Sequence, residues 1–151
     1  MEDFIKAIED LLQGETQVNA QNFASFAKES EIEVKNADGN LWEANWNSKR
    51  LCYIWLDGAG KKPGPWTIWL EGDYSNFPCD LDNATVKKAW ENVNLCTDCG
   101  GKCTPGTTKT IFGKSFEGVC SSPIAFTNPD KAAIECVKKI LLTRQNKEEM
   151  K

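Results

Sequence analysis

Leu51-Cys52-Tyr53-Ile54-Trp55-Leu56-Asp57 decides how this chain is read. Side chains alternate along a strand, which sets Leu51, Tyr53, Trp55 and Asp57 on one face and Cys52, Ile54 and Leu56 on the other. Both faces are largely apolar. A sheet with one wet face alternates more cleanly than this. The segment therefore reads as a central strand with cover on both sides, the second cover being either helices or a bound ligand.

The neighbouring sequence extends the same sheet. Leu41 to Trp46 forms a strand with Trp42, Ala44 and Trp46 on one face, and Asn47-Ser48-Lys49-Arg50 makes a turn or a polar strand start. Before it, Ile32 and Val34 alternate with charged residues and Ala37-Asp38-Gly39-Asn40 turns the chain. After a glycine- and proline-rich loop, Trp66 to Glu71 forms a strand with Trp66, Ile68 and Leu70 opposed to Thr67, Trp69 and Glu71. A short strand at Lys109 to Phe112 turns back at Gly113-Lys114, and Ser121-Ser122-Pro123 reads as a break. The result is an antiparallel meander of four to five strands.

Helical periodicity brackets the sheet. Phe4, Ile5, Ile8, Leu11 and Leu12 predict a helix over residues 3–13, and Asn19 or Asn22 can cap a second one. Asp82 or Asn83 can cap a helix carrying Val86, Ala89, Trp90 and Val93. Asn128-Pro129-Asp130 supplies a cap, a proline at the first helical position and an acid in the first turn, opening a helix that reaches about Thr143 before a frayed tail. The expected fold is α+β. One antiparallel sheet is packed with N-terminal and C-terminal helices, in a single domain over residues 1–151.

Hydrophobic residues make up 40% of the 151, charged residues 26%, and the net charge is −4. That balance disfavours a dedicated nucleic-acid binder. The first residues lack the order of a secretory signal, and no apolar run approaches the ~18 residues of a membrane span. The expected location is cytoplasmic, where thiols stay reduced. Histidine is absent, which excludes Ser-His and Cys-His nucleophiles, imidazole acid-base catalysis and His-containing metal sites.

Seven cysteines, an odd number, fit poorly with a complete set of disulfides. Three of them, Cys96, Cys99 and Cys103, lie close together in the polar, glycine-rich segment 94–120, and Cys120 closes it seventeen positions later. A Cys-x-x-Cys turn aims two thiolates inward, and Gly100-Gly101 supplies the freedom to wrap an ion. The four cysteines are the predicted ligands of a closed, structural zinc site. An iron–sulfur cluster is the runner-up, and a redox dithiol or idle thiols are further alternatives. Cys136 and Cys52 read as core, and Cys79 as a substitute ligand.

Asn92-Val93-Asn94-Leu95-Cys96, followed by Cys99, Cys103, Pro105-Gly106, Ile111-Phe112-Gly113-Lys114, Phe116, Val119-Cys120 and Asn128-Pro129-Asp130, resembles a group of small four-cysteine proteins of clostridia and related anaerobic bacteria. A strand like Trp66-Thr67-Ile68 is shared, and the likeness covers roughly residues 40 to 142. The group carries no established activity, so the resemblance implies the four-cysteine grouping and no reaction.

Five tryptophans fall between Trp42 and Trp69. They either fill the core or, as Trp42, Trp46, Trp55 and Trp69 with Tyr53, line a pocket for a small apolar or aromatic ligand. The leading functional expectation is a zinc-stabilised binding or regulatory domain with such a pocket. One alternative is a nucleic-acid or protein adaptor acting through Lys102, Lys109 and Lys114, with Phe112 and Phe116 beside Lys114. Another is an enzyme or redox protein using the cysteines, Lys114, or the carboxylates Asp57, Glu71 and Asp73.

Overall fold

The structure is a computed structural model that describes residues 1–56, 65–75, 81–95 and 106–149, with side chains described as far as residue 146. Two helices come first, α1 (Glu2–Leu11) and α2 (Gly14–Glu29). Four strands follow: β1 (Glu33–Asp38), β2 (Leu41–Trp46), β3 (Lys49–Leu56) and β4 (Trp66–Leu70). Helix α3 (Asn83–Trp90) then precedes β5 (Val93–Leu95), β6 (Thr107–Ile111), β7 (Lys114–Thr127) and α4 (Lys131–Glu149). The architecture is α+β.

The expected fold needs correction in two respects. Among the described residues the sheet has seven strands rather than four to five, in the order β1-β2-β3-β4-β7-β5 with β6 paired to β7, and the described pairings are all antiparallel. The helices among the described residues are four, and α3 stands in the middle of the chain rather than at an end. The missed strands are β5, three residues long, and β7, fourteen residues long and running straight through Ser121-Ser122-Pro123. Proline cannot donate to a ladder and is tolerated in a strand at an irregularity. That is where Pro123 sits: between the pairs Leu95↔Val119 and Val93↔Ile124, β5 advances two residues while β7 advances five.

Two hairpins show the local chemistry that sets the register. Asn47 and Ser48, both at positive φ (50° and 65°), form the two-residue connection from β2 to β3, a geometry that matches strand twist. Phe112 and Gly113 do the same between β6 and β7 at φ 49° and 85°. The bulky Phe112 is held there by its ring, 5.6 Å from Tyr74, and by its amide, which donates to the Tyr74 carbonyl.

Helix α3 starts at Asp82, whose carboxylate accepts from the Thr85 amide at 2.7 Å. Helix α4 is capped by Asp130, which accepts from the Ala133 amide at 2.8 Å. Asn128, the expected cap, instead takes a left-handed φ of 45° just before it.

The core lies between the helices and one face of the sheet. Phe4, Ile8 and Leu12 of the first helical stretch, Phe23 and Ala27 of α2, and Ile134, Val137 and Ile140 of α4 are buried against Trp42, Ala44, Ile54, Trp66, Ile68, Leu70 and Phe126. Phe4 tilts against Trp42 at 5.3 Å, and Phe23 meets Trp66 edge-on at 6.5 Å. Arg144 of α4 fastens the two layers by donating from Nη1 to the Leu51 and Glu71 carbonyls. Among the described residues no helix is long and apolar enough to cross a membrane.

Candidate functional site: the far face of the sheet

Strand alternation and register together fix what each face carries. Trp42 pairs with Ile54, and Ile54 with Ile68, all on the helix side. The residues between them point away. Lys35 pairs with Glu43, Glu43 with Tyr53, Tyr53 with Trp69, and Trp69 with Ala125, one continuous row across five strands. A second row runs Leu41, Trp55, Thr67, Thr127. Tyr53, Trp55 and Trp69 are half-buried.

The five aromatic residues predicted to share a pocket are thus divided. Trp42 is 6% exposed and Trp46 8%, both within the core cluster. Tyr53, Trp55 and Trp69 are brought together on the far face, Tyr53 and Trp69 as direct cross-strand neighbours.

A bulge completes the site. Between Ala44↔Cys52 and the pair Asn45↔Arg50, β3 spends one residue more than β2. Leu51 is that extra residue, and it is buried. In a regular strand Arg50 and Tyr53, three apart, would face opposite ways; the bulge turns Arg50 onto the far face. Its guanidinium lies 4.3 Å from the Tyr53 ring centroid, a cation–π contact.

Arg50 also sits between two carboxylates, with Nη1 3.9 Å from Glu43 and Nε 3.4 Å from Glu71. Lys35 reaches Glu43 at 3.6 Å, and the Ser122 hydroxyl donates to Glu71 at 2.8 Å. A polar network therefore borders the aromatic row. Beside it lies a groove of about 550 Å³ walled by charged and amide side chains from β1, β2 and the start of β3.

Other sequence candidates find structural roles. Glu71 is engaged as above, and Asp73 accepts from the Ser75 amide at 2.9 Å and its hydroxyl at 2.6 Å. Asp57 lies outside the described residues. Lys109 donates to the Cys120 carbonyl at 3.1 Å. Lys114 is placed over Trp90 (5.2 Å) and Phe116 (5.4 Å), whereas Phe112 turns to Tyr74. Lys102 also falls outside the described residues.

The expectation of zinc, or of an iron–sulfur cluster, is corrected. Among the described residues no group of three or more Cys, His, Asp or Glu side chains is arranged to hold a metal ion. Of the four predicted ligands, Cys96, Cys99 and Cys103 lie outside the described residues. Cys120 is half-buried within β7, with the Ser121 hydroxyl 4.0 Å from its sulfur. Cys52 and Cys136 are core thiols, both pushed up to about 12 by burial, and Cys136 donates to the Thr85 carbonyl at 3.4 Å.

The chain matches no protein-family model, and comparison with curated proteins and with solved structures returns no significant match either.

Proposed function

We propose that this chain is a small binding module whose ligand lies flat on the far face of the sheet, against Tyr53, Trp55 and Trp69. One observation carries the reading. Tyr53 and Trp69 are half-buried register partners on the face away from the helices, while Trp42, Trp46 and Trp66 already fill the core on the other side. Large stiff rings outside the main core cost little entropy to hold and offer apolar area to a flat partner. The Glu43–Arg50–Glu71 network fixes Tyr53 from one side and supplies polar groups for orientation.

The adaptor reading is weaker, because Lys109 and Lys114 are occupied by a backbone carbonyl and by two rings. A thermal-shift screen with planar aromatic and ring-shaped ligands tests the proposal, since a ligand that binds only the folded state raises its melting temperature. The expected result is a class of hits that stabilises the native chain and loses its effect in Tyr53→Ala and Trp69→Ala. Hits unaffected by both substitutions would contradict it.

A further inference from the structure

We propose that Arg144 is a positioning residue for the far face: from the helix side it holds the Leu51 bulge in place and so keeps Arg50 over Tyr53. The inference concerns the face assigned above to a ligand, but it is tested on the ligand-free chain, so the two can fail separately.

The bulge creates the polar border of the far face. Without it, alternation along β3 would put Arg50 on the side of Cys52 and Ile54, toward the helices, and send Leu51 outward. A bulge interrupts the ladder at its extra residue, so other contacts must favour it over the regular register. Leu51 gains burial, and its carbonyl gains two donors. The Glu71 amide reaches that carbonyl at 2.9 Å and Arg144 Nη1 at 3.2 Å.

Arg144 meets both anchors of Arg50. Leu51 is the chain neighbour of Arg50, and Glu71 is its carboxylate partner at 3.4 Å. Arg144 donates to the backbone carbonyl of each, and the Tyr74 hydroxyl joins it on the Glu71 carbonyl at 2.9 Å. The Glu71 side chain lies on the other face, where Arg50 and the Ser122 hydroxyl engage it. Glu71 is thus gripped by a guanidinium from each side of the sheet, its carbonyl by Arg144 and its carboxylate by Arg50.

The surroundings of Arg144 fit positioning rather than charge pairing. Among the described residues it forms no salt bridge. Its two Nη1 hydrogens are fixed in the guanidinium plane and turned to carbonyls, and Gly72 lacks the Cβ that would collide with the group. Helix α4 therefore sets, through the sheet, where a cation sits on the opposite face.

The test is side-chain NMR of the full chain without ligand. Protons of a group stacked on a ring are displaced upfield, so the Arg50 side chain, with its guanidinium 4.3 Å from the Tyr53 centroid, carries that signature in the native protein. Arg144→Met is expected to abolish most of the displacement. It should also move the Tyr53 ring resonances to where Arg50→Met puts them, with the double variant adding nothing. Arg144→Lys, which keeps the charge and gives up the fixed plane, should do the same and carries the test if the methionine variant does not fold. Ile140→Val is the control: it opens a small cavity under the same helix, lowers the melting temperature and should leave the Arg50 signature in place. An Arg50 signature that survives in the folded Arg144 variants overturns the proposal. Its equal loss in Ile140→Val does so too, since α4 would then act through stability alone. Either result leaves the binding face standing, to be tested by the ligand screen.

Discussion

Tyr53 and Trp69 are direct register partners on β3 and β4, on the side of the sheet away from the helices. Trp66, three residues before Trp69, is fully buried on the helix side. This division makes a stability prediction. Trp66→Ala removes a core ring that meets Phe23 and should cost about 3–5 kcal/mol, whereas Trp69→Ala should cost roughly half of that or less. Urea denaturation of the two variants measures the difference. Equal costs would mean that Trp69 belongs to the core.

Arg144 predicts a second outcome. Its guanidinium spans the Leu51 and Glu71 carbonyls, and Gly72, at φ 119°, leaves it room: a Cβ there would sit 2.8 Å from the guanidinium carbon. Arg144→Met should lower stability by about 1.5–3 kcal/mol, the range for hydrogen bonds to a charged group. Arg144→Lys should not restore it, because a lysine lacks the fork. Full recovery in the lysine variant, read by thermal denaturation, would contradict the role assigned to the fork.

Gly106 is required by close approach rather than by dihedral freedom. A Cβ at this position would overlap the backbone of Gly118 on β7. Gly106→Ala should therefore separate the start of β6 from β7. The expected signature is faster amide exchange at Thr107 and Val119, a pair in the native register, with exchange in β2 and β3 unchanged.

The Asp82–Lys139 ion pair gives a pH dependence of definite sign. The Lys139 ammonium at 2.9 Å and the Thr85 amide hold the Asp82 carboxyl well below the usual carboxylate range. A carboxyl whose folded pKa is depressed adds stability above its unfolded value, here 3.8, and that contribution is lost as the pH falls through the folded one. Asp82→Asn keeps a helix cap and removes the charge. It should flatten the acid limb of the stability profile below pH 3.8 while leaving its shape near neutrality intact. An unchanged acid limb would show that the exposed pair contributes nothing.

The described cysteines should differ in reactivity. Burial holds Cys52 and Cys136 as neutral thiols, both near 12, so neither should alkylate in the native state at mildly basic pH. Cys120, half-buried on β7, should label first among these three. Mapping iodoacetamide adducts by mass spectrometry checks the order.

Much of the sheet is legible because its alternation is strong. Trp42, Ala44 and Trp46 read as one face from period two alone, as do Trp66, Ile68 and Leu70, and the structure buries both sets. The Asp82 cap is equally local. What sequence periodicity hides is the bulge at Leu51, a single residue that changes the face of everything before it and brings Arg50 to Tyr53. Pro123 hides β7 for the opposite reason: a residue that normally ends a strand sits at an irregularity within a long one. The division of the tryptophans follows from cross-strand register, which is a property of pairs and cannot be read from one strand.

The most direct test of the binding face follows the six indole N–H resonances in a titration with a hit from the thermal-shift screen. Trp55 and Trp69 should shift with a common saturation curve, while Trp42, Trp46 and Trp66 hold still under the helices. Saturable shifts at Trp42 and Trp66 with Trp69 unmoved would place the ligand in the helix-side core and rule out the far face as its site.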